Sequence, residues 1–141
     1  MGELLETYQG TVYPWHCDHM GHMNVMWYVG KFDEASWSLF AKIGITPGYV
    51  RTSGCGMVAV RQTLEYKQEL LAGDAVVVRS RILHVGTTSL RWGHEMVNAE
   101  TGKIAATCEL TGVHFDRSAR VPCALPPEIV DRANGLWAGR P

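Results

Sequence analysis

Residues 16–24 read HCDHMGHMN, so three histidines, a cysteine and an aspartate fall within nine positions. Side chains of these types, packed closely, can hold a metal ion, or can place a carboxylate and hydrogen-bond donors around a reacting carbonyl. Zinc accepts imidazole and thiolate, and His16, Cys17, His19 and His22 offer both. Zinc-binding histidine pairs on a helix, however, sit at i and i+4 on one face. Here the histidines are spaced by three, in a stretch that contains Gly21. The metal reading is set aside on that ground, and no metal or separate cofactor is expected.

The rest of the chain must supply a frame for these residues. Its 141 residues show no break in composition and suit a single domain with its own core. Hydrophobic residues make up 46%, charged residues 19%, and the formal net charge is −1, which argues against disorder and against a surface for polyanions. Nucleic acid is not expected as a partner. Cys17, Cys55, Cys108 and Cys123 form no C-x-x-C pair and no N-terminal stretch resembles a signal peptide, so the thiols are expected to be reduced in a cytoplasmic protein. The longest apolar runs, such as Ala75 to Val78, fall far short of the roughly 20 residues that span a bilayer. No membrane association is expected.

Thr7 to Tyr13 has the β-branched and aromatic content of a strand, and Pro14 ends it. From Asn24 to Ile43 the spacing of Val25, Tyr28, Val29, Phe32, Leu39, Phe40 and Ile43 keeps one face apolar, which predicts a helix of about five turns. Asn24 can cap its start and Gly44 can close its end. Met26, Trp27 and Trp37 add bulk off that stripe, so cover on more than one side is expected. Thr46 to Gly56 reads as a glycine-rich loop.

The period then changes to two. Val58, Val60, Leu64, Tyr66 and Leu70 share one face of a strand from Met57 to Leu70. Turns at Leu71–Asp74, Gly86–Thr87 and Asn98–Gly102 separate further strands over Ala75–Val85, Thr88–Val97 and Lys103–Asp116. The end of the chain supports at most a short helix from Pro127 to Ala133. The expectation is one α+β domain over 1–141, with a core of about 7–117 and a tail of 118–141, in which a five-stranded antiparallel sheet curls around one long central helix. Val77, Leu83, Val113 and Phe115 would lie on the other face of that sheet and call for a partner subunit.

The run Asp18-x-x-Gly21-His22-x-Asn24-x-x-x-Tyr28, followed by Phe32-Asp33-Glu34-Ala35, resembles the hotdog-fold acyl-CoA thioesterases of the 4-hydroxybenzoyl-CoA thioesterase type. The stretches Leu71–Asp74, Gly86–Ser89 and Thr101–Ala106 resemble the family's turns, so the likeness covers roughly residues 8–128. Gly21–Val25 and His114–Arg120 also resemble the thioesterase module that hydrolyses betainyl-CoA. The chain departs from the benzoyl enzymes in carrying His22 and Asn24 where they have apolar residues, so their substrate is not carried over. The resemblance implies an acyl-CoA substrate, with coenzyme A as part of the substrate, and a homodimer that can pair into a dimer of dimers.

Hydrolysis of a thioester requires activation of the attacking oxygen and donors where charge grows on the carbonyl oxygen. The resemblance assigns the first role to Asp18, as nucleophile or as general base for water. Without the motif Asp18 reads as a solvated loop residue or a cap. By the family pattern the oxyanion donor is the Val25 N–H, at a helix start where unsatisfied donors and the macrodipole favour negative charge. Asn24 either orients the thioester or water, or only caps the helix. Gly21 allows close approach of a ligand or simply turns the chain. His22 either bonds near the carbonyl or packs at a subunit boundary, while His16 and His19 read as loop residues.

Tyr28, with Trp27, Trp37 and Phe40, divides between core and acyl-pocket wall. Thr87, Thr88 and Ser89 are polar groups that relatives place near the thioester or pantetheine arm across a dimer, or are ordinary turn residues. Some of Arg61, Lys67, Arg79, Arg81 and Arg91 can meet the coenzyme A phosphates. Two other functions compete: a non-catalytic acyl-CoA binding module, and a hotdog dehydratase or hydratase. The presence of Asp18 speaks against the first, and the absence of an H-F-P motif speaks against the second.

Overall fold

The computed structural model describes residues 4–137. Helix α1 runs Val25–Lys42, with Asn24 and Ile43 as its caps. Asn24 is extended, at φ −69 and ψ 147, and its side-chain oxygen accepts the Met26 N–H, which satisfies one of the donors a helix start leaves without a partner. At the other end Gly44 sits at φ 99, a left-handed conformation that glycine takes at little cost. Tyr28, Phe32, Ala35, Leu39 and Phe40 are buried on one face of α1, as their spacing predicts.

Strands β1 (Leu5–Thr11), β2 (Cys55–Tyr66), β3 (Ala75–Val85), β4 (Ser89–Asn98) and β5 (Ile104–Asp116) form an antiparallel sheet in the order β1-β3-β4-β5-β2. A two-residue strand, β6 (Val121–Pro122), pairs with the end of β5. Val76, Val78 and Ile82 of β3, Leu90, Trp92 and Met96 of β4, and Ala106, Cys108 and Leu110 of β5 meet the apolar face of α1 in one core. This is the expected α+β hotdog architecture. Val77, Leu83, Val113 and Phe115, on the sheet's other face, are half-buried. Among the described residues no helix is long and apolar enough to cross a membrane.

Several elements differ from the sequence expectation. The stretch Thr46–Gly56 is not a loop throughout, because α2 (Pro47–Ser53) forms within it: Thr46 accepts the Tyr49 N–H, Pro47 opens the first turn and Gly54 closes the last at φ 74. Strand β2 stops at Tyr66 rather than Leu70. Lys67 and Gln68 still donate to the Ala105 carbonyl, then the chain turns inward and Leu70 is fully buried. A bulge between Ala59 and Arg61 shifts the register, so Val58 and Val60 do not share a face with Leu64 and Tyr66. A third helix, α3 (Pro127–Leu136), is longer than the short helix expected. Finally, Met26 and Trp37 are 61% and 42% exposed, so within one chain that side of α1 is not covered.

The space under α1 also holds polar side chains that periodicity does not anticipate. Trp92 Nε1 donates to Ser36 Oγ at 2.9 Å, and Ser36 Oγ lies 2.8 Å from His94 Nε2. On the other ring nitrogen, His94 Nδ1 lies 2.5 Å from Ser80 Oγ, which lies 2.7 Å from Thr7 Oγ1, and Thr7 donates to the Val78 carbonyl at 3.3 Å. One order of protons satisfies all of them. Trp92 donates to Ser36, Ser36 to Nε2, Nδ1–H to Ser80, Ser80 to Thr7, and Thr7 to the backbone. That order requires neutral His94, and burial pushes its pKa down to about 3.

Candidate active site

The segment between β1 and α1 is held as a tight loop. Cys17 and Met23 form an isolated bridge, the Asp18 N–H donates to the His22 carbonyl at 3.1 Å, and the Gly21 N–H returns to the Asp18 carbonyl at 3.0 Å. Gly21 makes this closure at φ 83, and nothing lies within 4 Å of where its Cβ would be, so its role is conformational rather than spatial. The Asn24 N–H closes the loop on the His16 carbonyl at 2.8 Å, and the Met23 N–H fixes it to the body of the protein through the Leu70 carbonyl at 2.7 Å.

Within that loop the Asp18 carboxylate accepts the Met20 N–H at 2.8 Å on Oδ1 and the Asn24 amide at 2.9 Å on Oδ2. The amide of Asn24 therefore faces both ways, since its oxygen caps α1 while its nitrogen holds the carboxylate. The Asn24 bond first, then the Met20 bond, holds the Asp18 pKa below the ordinary carboxylate range. Asp18 is thus ionised at neutral pH, and its basicity is reduced.

Next along the chain, the Val25 N–H finds no acceptor among the described residues, as expected for a helix start whose cap reaches one residue further. Its side chain is 55% exposed. Val25 lines a cleft of about 370 Å³ together with His22, Met23, Tyr28 and the segment Tyr66–Glu69 that leaves β2. Tyr28 stands edge-on to Tyr66 at 5.1 Å between ring centres, and its hydroxyl donates to the Gln68 carbonyl at 3.3 Å. Burial pushes its pKa up to about 12, so it serves only as a neutral phenol. His22 Nδ1 lies 3.1 Å from Glu69 Oε2 at the rim.

The structure thus brings Asp18, Gly21, His22, Asn24, Val25 and Tyr28 together around one helix start. Of these, Asp18, Gly21 and Asn24 do not line the cleft; Asp18 is tied to Asn24, the residue that precedes Val25, which does. Thr87, Thr88 and Ser89 are not brought there within one chain. They form the turn between β3 and β4, whereas the loop sits beside the start of β3, and the length of β3 separates the two by roughly 30 Å. Of the basic residues considered for phosphate contact, Lys67, Arg81 and Arg91 face Glu65, Glu95 and Glu109 at 3.9, 3.6 and 3.5 Å.

The histidines of the opening segment separate. His16 is buried, not an open loop residue: its Nδ1 accepts the Tyr13 N–H at 2.9 Å and its ring lies against Trp27. His19 is exposed. Among the described residues, metal-ligand types converge elsewhere, at Cys55, His114 and Cys123. Their wide separation in sequence hides this cluster, and only the register at the end of β5 assembles it.

A family model described as the thioesterase-like superfamily matches residues 12–133. The L-carnitine dehydrogenase/betainyl-CoA thioesterase of Agrobacterium fabrum is 30% identical over 121 residues, which are 86% of this chain and 25% of that protein. The chain therefore spans about a quarter of the length of that relative. The betainyl-CoA thioesterase of Pseudomonas aeruginosa is 25% identical over 136 residues, covering 96% of this chain and 86% of that protein. Among solved structures, a Staphylococcus aureus protein in complex with CoA superposes with a TM-score of 0.90 at 18% identity, covering 100% of this chain and 88% of the other. At that identity the likeness speaks for the fold.

Proposed function

Because the chain belongs to the thioesterase-like superfamily, whose model matches residues 12–133, we propose that it is a thioester hydrolase that cleaves an acyl-CoA and water to the free acid and coenzyme A. The observation that carries this reading is the arrangement at the start of α1. An ionised Asp18 is held by the same Asn24 that caps the helix, next to a Val25 N–H without an acceptor among the described residues. In this reading the thioester carbonyl oxygen takes the Val25 N–H, where the helix dipole favours the charge that develops on it. Asp18 then either adds to the carbonyl carbon, expelling the coenzyme A thiolate and leaving an anhydride for water to open, or takes a proton from the attacking water. Both routes use the ionised carboxylate that the lowered Asp18 pKa provides. Oxygen-18 from labelled water incorporated into Asp18 in a single turnover marks the route through direct attack by Asp18.

Thiol release from a panel of acyl-CoAs, including betainyl-CoA and short aliphatic and aromatic thioesters, tests the activity. The rings of Tyr28 and Tyr66 and the carboxylate of Glu69 in the cleft would suit an acyl group bearing positive charge. Asp18→Asn keeps the size of the side chain and removes its charge, so it should lose at least about a hundredfold in kcat/KM. Hydrolysis unchanged in Asp18→Asn removes Asp18 from the chemistry, and no hydrolysis of any member of the panel by the wild-type chain removes the reading as a whole. The assembly in this proposal is a homodimer, able to pair into a dimer of dimers, in which the partner's turn between β3 and β4 supplies Thr87, Thr88 and Ser89 to the cleft. A cytoplasmic location belongs to the same reading, supported by four free cysteines.

A further inference from the structure

Cys55 opens β2 and pairs with Asp116 on one side of β5, while the Cys123 N–H donates to the His114 carbonyl on the other side. The three side chains meet over the end of β5. Cys123 Sγ lies 3.7 Å from Cys55 Sγ and 3.3 Å from His114 Nδ1, and all three ligand atoms fall within 4.8 Å of one another. His114 is 2% exposed, and its Nε2 lies 2.8 Å from the Tyr49 hydroxyl of α2.

We propose that Cys55, Cys123 and His114 bind a zinc ion, with water as the fourth ligand. Two thiolates and an imidazole are a donor set that zinc prefers. The spacing fits as well: zinc–sulfur bonds of about 2.3 Å at tetrahedral angles place two sulfurs about 3.8 Å apart, and a sulfur and a nitrogen about 3.5 Å apart. The observed separations of 3.7 and 3.3 Å need only small adjustment. A direct disulfide fits less well. The two cysteines reach the site from opposite sides of β5, and their sulfurs stand 3.7 Å apart, well beyond the roughly 2.05 Å of a disulfide bond. A cation between the sulfurs joins them without drawing the strands together.

The surroundings of His114 prepare it for this role. An Nε2–H donated to the Tyr49 hydroxyl leaves the Nδ1 lone pair facing Cys123, and such a bond both fixes the ring and sets its tautomer. The opposite tautomer would turn an Nδ1–H toward the Cys123 carbonyl, 3.3 Å away, and metal binding selects against it. The ion would tie the start of β2, the end of β5 and the segment after β6, at the opposite end of the sheet from Asp18. The proposal therefore stands or falls independently of the thioesterase reading.

The test uses the full chain, reduced and stripped of metal, titrated with Zn²⁺ against a competing chelator and separately with Co²⁺. The expected result is one tight equivalent of zinc, a cobalt spectrum with thiolate charge-transfer absorption, and affinity at least tenfold weaker in both Cys55→Ser and Cys123→Ser but unchanged in Cys17→Ser. Alkylation of the wild-type chain gives a readout that does not depend on any variant folding. Zinc should slow labelling of Cys55 and Cys123 at least tenfold and leave Cys17 at its metal-free rate. No tight equivalent, a cobalt spectrum without sulfur absorption, full affinity in both serine variants, or unprotected Cys55 and Cys123 would each overturn the proposal.

Discussion

Asn24 does two jobs with one amide. Its oxygen holds the Met26 N–H and its nitrogen holds Asp18 Oδ2, so replacing it should change helix stability and acid chemistry together. In Asn24→Ala the loss of the cap should cost about 1 kcal/mol of stability in denaturant unfolding. The same variant removes the largest cause of the depressed Asp18 pKa. A carboxylate with a lowered pKa stays ionised to lower pH, so the acid limb of the wild-type kcat/KM profile should lie below the ordinary aspartate value of about 3.9. In Asn24→Ala that limb should move upward. Asn24→Asp separates the two effects: it retains an N-capping oxygen but sets a second carboxylate beside Asp18, so it should keep most of the stability and move the limb further up. An acid limb that stays in place in both variants would show that Asn24 does not tune Asp18.

The contact between α1, β1, β3 and β4 is where polar chemistry enters the core. His94 is neutral in the folded chain, with a pKa of about 3, whereas in the unfolded chain it takes up a proton near its ordinary value of about 6.5. Below that value the unfolded state binds more protons than the folded one, so the contribution to stability falls as pH falls. At pH 5 the loss relative to pH 7 should be about 2 kcal/mol from this residue alone. Unfolding of wild type and His94→Gln at both pH values checks this. The variant should be less stable at pH 7 through its broken network, yet show a shallower decline toward pH 5; equal declines would contradict a neutral buried His94. This network also shows where the sequence stops being readable. The apolar stripe of α1, the cap at Asn24 and the order of strands follow from periodicity and turn chemistry, because local sequence sets them. Ser36, Lys31 and His94 fall at buried positions of their elements' periods but by residue type read as solvent residues, and only partners distant in sequence, such as Tyr8 for Lys31 and Ser80 for His94, make their burial tolerable. The bulge at Val60 was hidden for a related reason, since it is defined by the register against β5 and not by β2 itself. Helix α2 is a different case: Thr46, Pro47 and Gly54 carry its start and stop signals, and the glycine content of the segment masked them.

Across the whole molecule, exposed apolar side chains include Val25, Met26, Val29 and Trp37 on α1, and Val58 and Val60 on the edge strand β2. An edge strand of twelve residues with apolar side chains is a surface that a single chain would have to protect from stray pairing. In the proposed homodimer a second copy would cover it, so light scattering at micromolar concentration should give a homodimer or a larger even assembly, and a stable monomer would contradict this account. The order β1-β3-β4-β5-β2 has a further consequence for how the chain reaches this form. Strands β3, β4 and β5 are consecutive and joined by short turns, so they can pair early and locally. Strands β1 and β2, which come first in the chain, end at opposite edges and must close long loops to arrive there. Met23, which anchors the Asp18 loop, donates its N–H to the Leu70 carbonyl beyond the end of β2. The loop that holds Asp18 is therefore set in place only when the edge that carries Leu70 docks, so a folding intermediate built on the β3–β5 meander would possess the middle of the sheet but not the arrangement around Asp18.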